Sequence, residues 1–185
     1  MQNNAGASLN IMQPSNFFLF MIFYSPIIVC LAIIAFTFII QSSKGFIYLG
    51  FLFAASIVRE FLYYAAGGME VKPVNAICSV IDYSKHGNNT YSSFMLSFTL
   101  MYLCLPMYIN DSMNWILFGI LLSYLFADIM VRSMNHCITN VSVLFLNIVA
   151  GIISGLGVVS AMSAGGSSKY FMFNDSSSGF AYNTL

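Results

Sequence analysis

The stretch Asn16–Ile40 carries no charged residue, and as a helix it is about 37 Å long, enough to cross the hydrocarbon of a bilayer with some tilt. Four more apolar runs follow: Phe46–Ala66, Thr90–Ile109, Trp115–Val131 and Val141–Met162. Nearly all the ionisable residues sit at or near the ends of these runs. A chain that enters lipid must satisfy its backbone internally, and runs of this length do so as α-helices. The pattern predicts an all-α integral membrane bundle of about five transmembrane helices. Residues 1–15 form a polar N-terminal segment, 16–162 the bundle, and 163–185 an extended polar and aromatic tail. Pro26 falls inside the first run and is expected to kink it.

Composition agrees with lipid as the solvent. Charged residues make up 6% of the chain and hydrophobic residues 59%, against roughly a quarter charged in soluble domains. Six cations balance six anions, so there is no basic field to attract nucleic acid; the implied partner is membrane lipid. Met1–Pro14 has no positive n-region and the run after it is too long for a signal core, so the first run is read as a retained span. Gln2 stands where myristoylation needs glycine.

The alternation of spans sorts the polar groups. Arg59, Glu60, Glu70, Asp82, Lys85, His86, Asp128, Arg132 and His136 fall toward one face, and Lys44, Asp111, Lys169 and Asp175 toward the other. Counting Lys72, Lys85, Arg132 and nearby Arg59 against Lys44 and Lys169, the positive-inside tendency places the first face, and the N-terminus with it, in the cytosol. Cys30 and Cys104 lie in apolar runs, whereas Cys78 and Cys137 lie in loops and are free to pair if those loops share an oxidising side. No CxxC spacing is present, and His86 and His136 have no neighbouring ligand motif. No metal site and no cofactor are expected.

Three groups of residues are candidates for a site. Arg59 and Glu60 are adjacent, about 100° apart on a helix, and face each other poorly. They are read either as interfacial anchors in the headgroup layer or as one arm of a site. Asp128 and Arg132 have the i,i+4 spacing of an interfacial ion pair that ends span four. Asn147 lies about 10 Å inside span five and should hydrogen-bond to another helix. The Gly151 and Gly155 stripe after it invites a close helix partner, another copy of the chain included. His86, Arg132 and His136 are weak catalytic candidates; no complete catalytic set is present.

Some of these residues resemble the type-2 phosphatidic-acid phosphatase superfamily. Lys72-Pro73 precedes His86-Gly87 at the mouth of span three, then Thr90-Tyr91-Ser92-Ser93-Phe94; two spans later come Arg132 and Asn147-Ile148-Val149-Ala150-Gly151. The resemblance implies a lipid-phosphate phosphatase or a catalytically decayed relative. The chain departs from that family in lacking Ser-Gly-His, in having Val143 at the nucleophilic histidine's place, and in having Asn147 at that of the orienting aspartate. The runs Gly45-Phe46-Ile47-Tyr48-Leu49-Gly50-Phe51-Leu52, Met101-Tyr102-Leu103-Cys104-Leu105-Pro106-Met107 and Gly165-Gly166-Ser167-Ser168-Lys169-Tyr170 resemble small multispan membrane proteins of large double-stranded DNA viruses. That resemblance implies a structural or scaffolding protein of a virion internal membrane, with its tail on capsid protein or a neighbouring copy. A channel or transporter is the third reading, although ionisable groups avoid the middle of the spans and no internal repeat is visible.

Overall fold

A computed structural model describes residues 14–67, 78, 81–167 and 170–171. Six helices follow one another: α1 Pro14–Phe23, α2 Ser25–Ile40, α3 Lys44–Ala65, α4 Tyr91–Ile109, α5 Trp115–Met134 and α6 Val141–Ala164, with a 3-10 turn at Asn88–Thr90 leading into α4. Four of these stretches are long and apolar enough to cross a membrane, and the bent pair α1–α2 makes up to five. The chain is an all-α helical bundle compatible with a multi-pass membrane protein.

The first run is not one kinked helix. It breaks at Tyr24 (φ −92°, ψ 10°), and α2 leaves α1 at 80°. The reason is local: Pro26 lacks the N–H that would bond one turn back, and its fixed φ suits the first turn of a new helix. Pro26 therefore starts α2, where the sequence reading had it bend a single span. The short α1 lies against α5 instead, with the Tyr124 hydroxyl donating to the Met21 carbonyl at 2.6 Å.

The bundle is built around α4. In its apolar stretch 72% of residues are buried, against 22% in α3, α5 and α6. Its most extensive neighbour is α6, and the glycines explain why. A Cβ on Gly151 would lie 2.3 Å from the Phe94 carbonyl oxygen, and one on Gly155 would lie 2.8 Å from the Met101 Cβ. Only glycine lets the two backbones approach so closely. The stripe is thus covered by α4 of the same chain. Where the end of α2 meets the start of α3 the same device recurs, since a Cβ on Gly45 would strike the Thr37 hydroxyl.

Tyr48, Phe98 and Tyr102 pack as an aromatic core where α3 meets α4, and the Tyr48 hydroxyl shares a 2.7 Å hydrogen bond with Thr99. Phe171, from the segment read as a tail, is buried against Tyr102. The segment read as a tail begins inside α6, which runs to Ala164; its residues 168–169 and 172–185, the N-terminal segment before Pro14, Glu70 and Lys72 lie outside the described residues.

Candidate functional site

Of the polar residues that the sequence sorts to one face, Arg59, Glu60, His86, Asp128 and Arg132 gather where α3 and α5 end and α4 and α6 begin. They form two clusters, each around one arginine, and both arginines are buried rather than interfacial.

Arg59 is 4% exposed. Its Nε donates to Asn147 Oδ1 on α6 at 2.7 Å, Nη1 to the Ser84 hydroxyl and the His86 carbonyl, and Nη2 to the Gly87 carbonyl at 3.0 Å. The guanidinium also lies over the rings of Tyr63, Tyr91 and Phe94, a favourable setting for a desolvated cation. Asn147 is itself fully engaged: its amide donates to the Tyr63 hydroxyl at 2.6 Å and to the Val143 carbonyl at 2.8 Å. Arg59 does not snorkel to the headgroups because the turn between α3 and α4 folds back over it and supplies carbonyls in their place.

Glu60 points away from this core and is a third exposed. It lies 3.6 Å from Arg59, and the Ser84 hydroxyl bridges the two, donating to Glu60 Oε1. The other carboxylate oxygen is 3.2 Å from His86 Nδ1. Serine, histidine and glutamate thus lie together, but in an order unsuited to nucleophilic attack. The single hydroxyl proton is directed at the Glu60 carboxylate, with the His86 carbonyl as its other acceptor within reach, whereas activation needs the imidazole to accept that proton.

The second cluster is Asp128 and Arg132, which do pair at i,i+4 with Arg132 Nε 2.9 Å from Asp128 Oδ1. The sequence reading put this pair at an interface. Instead α5 continues to Met134, and the pair turns inward with Asp128 0% and Arg132 2% exposed. Two serines of α4 make that burial tolerable. Ser92 and Ser93 both donate to Asp128 Oδ2, at 2.7 and 3.1 Å. The carboxylate then has three donors, which is what a buried charge requires. Arg132 Nη1 donates to the Asn89 carbonyl, and its guanidinium lies over Phe23 of α1.

The two clusters share one object. Arg59 holds the carbonyls of His86 and Gly87, and Arg132 holds that of Asn89. One turn, at the mouth of the central helix, is clamped by a guanidinium on each side. Gly87 occupies the left-handed region (φ 62°), and a Cβ there would press on Arg59 and Tyr63. Tyr83 closes the gap between the clusters, stacking on Tyr91 and donating to the Phe23 carbonyl at 3.0 Å. Burial pushes its phenol pKa up.

Of the candidates read from the sequence, Arg59, Glu60, His86 and Asn147 come together, as do Asp128 and Arg132. His136 is not among the partners of either arginine. It ends α5 in the left-handed conformation (φ 54°), with its own N–H donating to the Ser133 carbonyl and that of Cys137 to the Arg132 carbonyl, the pattern of a Schellman cap. Ser92, Ser93, Tyr63 and Ser84 also belong to the two clusters, which no motif in the sequence indicates. The signal available was the run of hydroxyl residues at the start of α4, in a segment otherwise apolar. Among the described residues no group of His, Cys, Asp and Glu could hold a metal ion. No protein-family model matches the chain, and neither a curated protein nor a solved structure does.

Proposed function

We propose that this chain is a structural multispan membrane protein, and that its polar end is a lock that holds the bundle together rather than a catalytic centre. One observation carries the reading: the donors of Arg59 are directed to Asn147, Ser84 and two backbone carbonyls of its own chain. A guanidinium that served a substrate phosphate would keep a bidentate face open to it. Residence in a virion membrane, and contact of the tail with capsid protein or a neighbouring copy, rest on the resemblance alone. Quantitative mass spectrometry of purified membrane particles tests the role. A structural protein is present in numbers comparable to the other major membrane components, and trace abundance would count against it.

The lipid-phosphate phosphatase reading is favoured by one feature, the gathering of an imidazole, a guanidinium and Asn147 at one bundle end. It is opposed by Val143 one helical turn before Asn147, where an imidazole would be needed, and by the pairing of His86 with Glu60. Purified protein in detergent, offered phosphatidic acid and related lipid phosphates, should release no phosphate. Release that is abolished by His86→Ala would replace the structural reading with the enzymatic one.

A further inference from the structure

Cys78 belongs to the connection between α3 and α4, and Cys137 to that between α5 and α6. They are 59 residues apart in sequence, yet form a disulfide with a Cα–Cα distance of 5.5 Å, well within the range two cysteines can bridge without backbone movement. The bond is buried. Cys78 is 3% and Cys137 0% exposed, and they pack with Ile22 and Phe23 of α1 and Val131 of α5. The other two cysteines, Cys30 and Cys104, are free thiols within α2 and α4. Both loop cysteines thus lie at the same end of the bundle, the end clamped by Arg59 and Arg132.

Disulfides in mesophiles persist on the oxidising side of a membrane and are rare on the cytosolic side. We infer that the end of the bundle bearing the α3–α4 and α5–α6 connections faces an oxidising compartment, and that the α2–α3 and α4–α5 turns face the reducing one. This reverses the orientation suggested by counting cations. That count rested on four cations against two, and two of the four, Arg59 and Arg132, are buried among hydrogen-bond partners inside the bundle. Without them Lys72 and Lys85 stand against Lys44 and Lys169, an even balance with no preference for either side. The disulfide is then the asymmetric feature that decides orientation.

The chemistry is thiol–disulfide exchange. One loop thiolate attacks a disulfide donor of the compartment, oxidised glutathione or a dithiol–disulfide exchange protein. One donor sulfur leaves as a thiol, and the second loop thiolate then resolves the mixed disulfide. Two protein thiols and one donor disulfide give one protein disulfide and two donor thiols. Burial against Ile22, Phe23 and Val131 afterwards shields the bond from reducing thiols.

Two measurements on the full chain in cell membranes test this together. After acid quenching and denaturation, a maleimide should count two thiols before reduction and four after it. In the second, Lys85→Cys and Ser43→Cys, both at exposed positions on opposite ends of the bundle, are treated with a membrane-impermeant maleimide. Lys85→Cys should be labelled in sealed right-side-out vesicles and Ser43→Cys only in inverted ones. Four reactive thiols before reduction, or labelling of Lys85→Cys only from the cytosolic face, would each overturn the inference.

Discussion

Replacing Gly151 by alanine adds one methyl group to α6, and the structure says where it must go. The new Cβ would sit 2.3 Å from the Phe94 carbonyl oxygen, 3.0 Å from the Ser97 Cβ and 3.1 Å from the Phe98 amide nitrogen. Two of these three neighbours are backbone atoms of the central helix, so no rotamer change relieves the clash. To restore ordinary carbon–oxygen contact, α6 must move away from α4 by about 1 Å, loosening the most extensive interface in the bundle. Overpacking of this kind costs about 1–3 kcal/mol, and a clash against rigid backbone belongs at the top of that range. On the scaling for soluble chains of this size, about 3 kcal/mol corresponds to ~6–12 °C in Tm. Gly157, two residues beyond Gly155 on the same helix, is the control: nothing lies within 4 Å of the Cβ it would gain. Gly157→Ala should be neutral, or stabilising by up to ~1 kcal/mol through helix propensity. Both variants would be followed by thermal unfolding in one detergent, with oligomeric state read by native gel. Equal loss in the two variants, or an unchanged Tm for Gly151→Ala with a dissociated oligomer, would refute the assignment of the stripe to the inside of the chain.

Further variants probe the polar end. Asp128→Ala leaves Arg132 buried without its anion and should cost about 3–5 kcal/mol, whereas the double change Asp128→Leu with Arg132→Met should recover most of that loss; a thermal-unfolding double-mutant cycle with no coupling would show that the pair is not internal. Asn147→Leu strips partners from Arg59 Nε and the Tyr63 hydroxyl. Hydrogen bonds within membranes average ~0.6 kcal/mol, but a desolvated cation is left short here, so a loss of about 2 kcal/mol is expected in the same assay. His136→Gly should raise stability by up to ~1 kcal/mol, because glycine adopts the left-handed cap without the steric penalty histidine bears; a destabilised variant would mean that the imidazole makes contacts essential to the fold.

The spans were legible because length and apolarity alone decide whether a helix can cross lipid, and Trp115 and Val141 each begin a helix at the residue the sequence indicated. Asn114 and Asn140 explain those sharp starts, since each accepts hydrogen bonds from the first turn of its helix. Which helix stands at the centre was not legible from apolarity, since α4 is no more hydrophobic than its neighbours. What sets it apart is Ser92, Ser93, Ser97 and Thr99, small or hydroxylated residues that admit close neighbours and supply hydrogen bonds. The Gly151 and Gly155 stripe declared that some backbone comes close, but a stripe carries no address for its partner. Likewise Arg59 and Asn147 each called for a partner, and nothing local in the sequence joins residues 88 apart. The break at Tyr24 is not legible locally, because a proline inside an apolar run is compatible both with a kink and with a fresh helix start; the packing of α1 on α5 decides between them.

The placement of the two arginines follows a rule about charge in lipid. A guanidinium near the end of a transmembrane helix has an inexpensive alternative, to extend its stem to the headgroups, where water and phosphate satisfy it. Arg59 and Arg132 are close enough to the helix ends to do so, yet both fold inward. Inward placement is favourable only where fixed acceptors outnumber what the interface offers, and here the acceptors are the carbonyls of one turn, His86, Gly87 and Asn89, together with Asn147 and Asp128. The turn's carbonyls have local donors, the Thr90 N–H and hydroxyl for Gly87 and the Ser84 hydroxyl for His86, and Arg59 adds a charged donor to each; the arginines need desolvated acceptors, and the turn presents them. Without the turn, each arginine would be a buried cation short of acceptors, with a penalty of several kcal/mol. The end of the bundle is therefore assembled jointly by α3, α4, α5, α6 and the loop between α3 and α4, and the Cys78–Cys137 bond joins that loop to the α5–α6 connection.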